Sequence, residues 1–266
     1  MNFVIRSIVA VLFIPLLLWL YYTGGLTLGL FLCMLSILGS SELLKMFILK
    51  QNNTAKYPLI YFVNLFFTFG IFYSIAFESK YIFAFIIAIL IYNSALDVFA
   101  NQMKGSTFRI AFSLFAVLYP ALGFGLIFKL STLSQFGNTL LPILAILIWI
   151  TDTFAYFSGR LFGKHKNIFA CSPKKSAEGF IGGIIFAFIA SMIAMKIYPE
   201  IYTIKHTVIL ALSAGIIGQF GDLMESVLKR DMGVKDSSNI IPGHGGVLDR
   251  FDSILIAGPV LYVIIC

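Results

Sequence analysis

Nine stretches of this chain are predominantly apolar for 16 to 22 residues at a time: 4–22, 26–44, 57–77, 81–96, 108–128, 139–157, 177–197, 207–228 and 247–266. A helix rises 1.5 Å per residue and the hydrocarbon core of a bilayer is about 30 Å thick, so stretches of this length match a membrane crossing. Backbone polar groups in lipid must be satisfied inside the structure, which leaves helices or a closed barrel. No alternation recurring over about ten residues marks barrel strands. The expected class is therefore all-α, a polytopic integral membrane protein with about nine transmembrane helices. Charged residues make up 12% of the chain, against the roughly 25% of a soluble domain, which excludes a soluble globular fold. The run at 81–96 is short, and Pro120 is expected to kink or break the fifth helix. No small-residue cleavage site follows the first run, so it reads as a retained span.

The net charge of +7 resembles a nucleic-acid signal, but the bases fall in short connections between apolar runs. Sorted by alternate sides, fifteen of the nineteen lie together: Arg6; Lys45, Lys50 and Lys56; Lys104 and Arg109; Arg160, Lys164, Lys166, Lys174 and Lys175; Lys229, Arg230, Lys235 and Arg250. Lys80, Lys129, Lys196 and Lys205 lie opposite. The positive-inside rule then puts the N-terminus and the long polar loops 158–176 and 229–246 in the cytoplasm, in a multi-pass protein of the inner (cytoplasmic) membrane. No basic stripe accompanies a soluble fold, so no nucleic acid is expected as a partner.

The two halves differ in chemistry. Residues 1–150 hold three acids, Glu42, Glu78 and Asp97, and the other nine follow. Residues 1–136 read as a scaffold of packing and lipid-facing helices, and 137–266 as the catalytic region. Only 14 residues follow Asp252, about 21 Å of helix, so the last span must begin near Val247. Asp249 and Asp252 then lie in its first turns, three apart on one face. Asp222 lies about 10 Å inward of Lys229 along the preceding span, with Glu225 facing the same way, and Asp152 lies about 12 Å inward of Arg160. Acids at a helix N-terminus can serve the dipole alone, but Asp222 and Glu225 approach a helix end where negative charge is unfavourable. A divalent cation accounts for the set, with Asp222 and Asp249 as ligands and Glu225 and Asp252 as further ligands or as partners supporting them, and Mg²⁺ suits such hard groups. Zinc does not, because neither the three cysteines nor His165, His206 and His244 form a ligand set.

Basic residues and a glycine-rich turn surround these acids. Lys229, Arg230 and Lys235 precede Pro242-Gly243-His244-Gly245-Gly246, just before a helix start, where backbone N–H groups of Gly245 and Gly246 can converge on an anion. His244 is either a phosphate ligand or a turn residue. The other long loop carries Ser172-Pro173-Lys174-Lys175-Ser176-Ala177-Glu178-Gly179, with Ser176 placed to cap a helix. Gly179 and Gly183 suit close helix packing.

The stretch from Ser226 to Asp252 resembles the signature of the phosphatidate cytidylyltransferase (CDP-diacylglycerol synthase) family, S-x-hydrophobic-K-R-x4-K-D followed by P-x-H-G-G-x-x-D-R-x-D, with every fixed position filled. Asp152-Thr153-Phe154-Ala155-Tyr156, Gly159–Lys164 and Ser172–Gly179 resemble further blocks of that family. The resemblance runs from about Asp152 to Asp252. It implies transfer of CMP from CTP to phosphatidate, releasing pyrophosphate, by a Mg²⁺-dependent homodimer in the membrane. Asp222, Asp249, Lys229, Arg230, Lys235 and His244 would be catalytic. Ser172, Lys174, Lys175, Asp152, Gly245 and Gly246 would hold the nucleotide, with Asp152 meeting either metal or nucleotide. A cation-coupled transporter would instead show midplane acids and an internal repeat. A CDP-alcohol phosphotransferase would require a D-x-x-D-G-x-x-A-R block, which is absent.

Overall fold

The computed structural model describes residues 3–50, 58–101, 103–136, 138–241, 243 and 245–266. Among them the chain forms nine helices and no strand. These are α1 (Phe3–Thr23), α2 (Gly25–Lys50), α3 (Pro58–Ala76), α4 (Ile82–Phe99), α5 (Ser106–Ser131), α6 (Leu140–Phe162), α7 (Ala177–Ile197), α8 (Ile204–Asp231) and α9 (Leu248–Ile265). Six, namely α2 and α4 to α8, are long and apolar enough to cross a membrane. Each expected run became one helix. The start of α9 at Leu248 agrees with the argument from spanning length.

Two boundaries differ from expectation. α2 continues to Lys50 and α6 to Phe162, because chain leaving an apolar span can stay helical while its lysine or arginine heads reach out. α5 runs through Pro120 without a break. Pro120 is buried in the packed interior, where neighbouring helices hold the geometry that the missing N–H would otherwise support.

α5 is the central post, packed by α2, α3, α4, α6 and α9. α6 and α7 form the most extensive pair. Their closeness follows from small residues: a Cβ on Gly179 would lie 2.7 Å from the Ala155 carbonyl oxygen, and one on Gly183 3.1 Å from that of Thr151. Ser176 caps α7, its hydroxyl accepting from the Gly179 N–H at 3.1 Å. Large apolar side chains such as Phe62, Phe66, Phe83, Ile87 and Ile91 cover the outside, as a lipid solvent permits. Away from the acid-rich loops, Lys129 near the end of α5 pairs with Glu78. Its hydrogen bond and its charge hold that carboxyl below its ordinary range.

Candidate active site

α8 is the element that sets the site. At Ser213–Gly218 its backbone widens into a π turn. Such turns insert a residue and re-aim the side chains that follow. Gly215 brings this turn against α7, where a Cβ would lie 3.0 Å from that of Ala187. Gln219 donates to the Phe180 carbonyl at 3.1 Å, fixing the rotation of the last turns of α8. Gly221 then meets α9 backbone to backbone: its Cβ would stand 2.6 Å from the Asp252 carbonyl oxygen. This contact puts Asp222 and Glu225 beside Asp249 and Asp252.

The carboxylates are held by specific partners. Lys175 donates to Asp222 Oδ2 at 2.6 Å. Lys229 donates to Asp249 Oδ1 at 2.6 Å, and its ammonium also lies 3.0 Å from Glu225 Oε1. That ion pair serves Oε1, and Glu225 Oε2 is buried without a hydrogen-bond partner. Asp252 takes its own next N–H, from Ser253, at 2.7 Å. It stands within electrostatic range of Asp222, Asp152 and Glu225. Carboxylates gathered this closely in a low-dielectric surrounding favour a cation among them.

A cavity of about 1260 Å³ opens over this group. Its walls carry Asp152, Asp222, Asp236, Asp249 and Asp252 together with Arg160, Lys166, Lys174, Lys175, Lys229 and Arg250. Apolar side chains line it as well, among them Phe13, Ile14 and Leu17 of α1, Ala145 and Ile148 of α6, and Ile254 of α9. One cavity is thus lined by both ionic and apolar side chains.

The sequence-derived candidates separate into groups. Asp152, Lys174, Lys175, Asp222, Lys229, Asp249 and Asp252 line the cavity, and Glu225 lies directly behind Lys229. Ser172, Arg230, Lys235, Gly245 and Gly246 are not among its lining residues. Ser172 closes the turn ahead of Lys175, accepting its N–H at 3.1 Å. Arg230 donates to the Val234 carbonyl at 3.1 Å and shapes the loop. Lys235 is exposed. His244 lies outside the described residues. The Gly246 N–H does converge on an anion, but that anion is the chain's own Asp249, at 2.8 Å.

Several contributors escaped the sequence reading. Arg160 and Arg250 belong to the motif blocks and could have been nominated from them, while Lys166 lies between two blocks. The α1 wall carries no polar signal at all. Glu42 of α2 is wholly buried and accepts hydrogen bonds from the loop before α9. Being charged inside an apolar span was its available signal.

Among the described residues no three His, Cys, Asp or Glu side chains form a preassembled metal-ligand group. Mg²⁺ nevertheless suits the donors present, because it takes one or two carboxylates and completes its shell with water and phosphate. The partnerless Oε2 of Glu225 and the lysine ammonium groups resting on Asp222 and Asp249 mark places where positive charge is accepted.

The sequence model of the cytidylyltransferase family matches residues 4–266. A phosphatidate cytidylyltransferase of Staphylococcus haemolyticus is 33% identical over an alignment of 281 positions covering 98% of each chain. That of Bacillus subtilis is 41% identical over 161 residues, 59% of this chain and 58% of that protein. One from Staphylococcus saprophyticus is 38% identical over 165 residues, 62% of each.

Proposed function

The chain belongs to the cytidylyltransferase family, and from that premise we propose that it transfers CMP from CTP to phosphatidate, giving CDP-diacylglycerol and pyrophosphate. The observation that carries this reading is one cavity lined both by ionic side chains and by apolar ones, the latter drawn largely from α1 and α6. A water-soluble polyanion and a lipid phosphate can meet there without either leaving its preferred surroundings.

A phosphate monoester is largely a dianion at neutral pH, so the attacking oxygen of phosphatidate needs no strong general base. That oxygen forms a bond to the α-phosphorus of CTP as the bond to the bridging oxygen of pyrophosphate breaks. The difficulty lies in bringing two polyanions together. Lys174, Lys175, Lys229, Arg160, Lys166 and Arg250 neutralise and orient the phosphates, arginine through its planar fork and lysine as a point charge. Lys175 and Lys229, now paired with Asp222 and Asp249, stand where they can turn to substrate phosphates. Asp222, Glu225, Asp249 and Asp252 would hold Mg²⁺, which supplies charge neutralisation and an in-line template when bound.

The active site faces the cytoplasm in this proposal, as the fifteen-to-four division of bases supports. Assembly as a homodimer in the cytoplasmic membrane completes it. The test is conversion of radiolabelled CTP by purified protein with phosphatidate in detergent. EDTA should stop CDP-diacylglycerol formation, Mg²⁺ should restore it, and added pyrophosphate should drive the reverse reaction because one phosphoanhydride replaces another. No conversion under these conditions, alongside gradient-driven uptake in vesicles, would overturn the assignment.

A further inference from the structure

We infer that Glu42 of α2 is a positioning residue for the active site, acting through Ser237 and the first turn of α9 on Asp249. The inference rests on the proposed transferase activity and concerns a residue far from the motif blocks in sequence. Glu42 is fully buried, and four donors converge on it. Oε1 accepts from the Ser238 hydroxyl at 2.6 Å and from the Val247 N–H at 2.8 Å. Oε2 accepts from the Ser237 hydroxyl at 2.9 Å and from the Leu248 N–H at 2.9 Å. Each carboxylate oxygen thus takes one hydroxyl and one backbone N–H.

Asp249 completes the same lattice from the other side. Its Oδ2 accepts the Ser237 N–H at 2.8 Å and the Gly246 N–H at 2.8 Å, and the Ser237 hydroxyl lies 2.9 Å away. A hydroxyl has one proton, and Asp249 Oδ2 already holds two N–H donors. The proton of Ser237 therefore serves Glu42, leaving Asp249 oriented by backbone donors and by Lys229. Successive N–H groups at 246, 247 and 248, which a helix N-terminus leaves without intrahelical partners, are shared between the two carboxylates. Gly246 is where they come closest to the backbone: a Cβ there would stand 2.5 Å from Glu42 Oε1. Glu42 does not line the cavity, so it acts on geometry and not on substrate.

An amide cannot replace this carboxylate, because its nitrogen donates where two of the four donors require an acceptor. In Glu42→Gln, kcat should fall on the order of 10²-fold, the scale of a displaced catalytic group, with the KM for CTP within about twofold. Hydrogen exchange of the peptide spanning 237–250 should accelerate, while exchange in α3, α4 and α7 stays unchanged. Ser237→Ala should lower kcat less, and the double variant should be no worse than Glu42→Gln alone. If Glu42→Gln does not fold, Ser237→Ala and Ser238→Ala carry the test through the same exchange and kcat readouts. Unchanged kcat and unchanged exchange in folded variants, or losses that multiply in the double variant, would overturn the inference. An inactive wild-type protein would instead sink the transferase reading.

Discussion

At the scale of single residues, the site is a set of carboxylates whose partners decide what each can do. Asp249 is the most committed, with Lys229 on one oxygen and two backbone N–H groups on the other. In Asp249→Asn the amide can keep an oxygen toward one of those sides only, and Lys229 loses half of its compensation. Turnover should fall by about 10²-fold or more while the protein still inserts and elutes as wild type. Near-normal kcat at saturating Mg²⁺ would remove Asp249 from the machinery. The pairing of Asp249 with Asp252 could be read along the chain, because three-residue spacing on a helix places side chains on one face. That Lys229 would bridge Asp249 and Glu225 could not, since it depends on how α8 meets α9. Glu42 was legible as a charge in an apolar run, but its partners lie almost two hundred positions away.

At the scale of elements, the junction of α8 and α9 brings the candidate carboxylates together. Gly221 allows the two backbones to touch, and none of the three backbone atoms facing it can rotate away. In Gly221→Ala the added methyl must push the helices apart, at about 1–3 kcal/mol for overpacking of this kind. A lower melting temperature in detergent and a loss of CTP conversion larger than that of a remote glycine variant are the expected results. Wild-type stability would mean that the contact is looser than the structure describes. Helix number and the start of α9 were legible because spanning length is imposed by the bilayer. The π turn in α8 was not, since apolar periodicity gives no sign of one inserted residue. Nor was the continuity of α5 through Pro120, which packing decided.

At the scale of the whole molecule, orientation ties the fold to the reaction. With Cys33, Cys171 and Cys266 replaced, a cysteine at Lys166 should react with an impermeant thiol reagent only from the cytoplasmic side. A cysteine at Gln135 should react only from outside. Labelling of position 166 from the outer face would reverse the topology and leave the cavity without access to CTP. Within residues 1–136, read as scaffold from the sequence, α1 lines the cavity and α2 holds the loop before α9. The helices, their number and the ionic residues nominated for the candidate site were legible along the chain, because length, hydropathy and motif spacing are properties of neighbours in sequence. Which lysine meets Asp222 and Asp249, that the Gly246 turn serves Asp249, and that Glu42 completes the lattice came from the packing of the helices. Those contacts join helices distant in sequence, and their geometry is set by side-chain volumes and backbone approach, which one-dimensional patterns do not record.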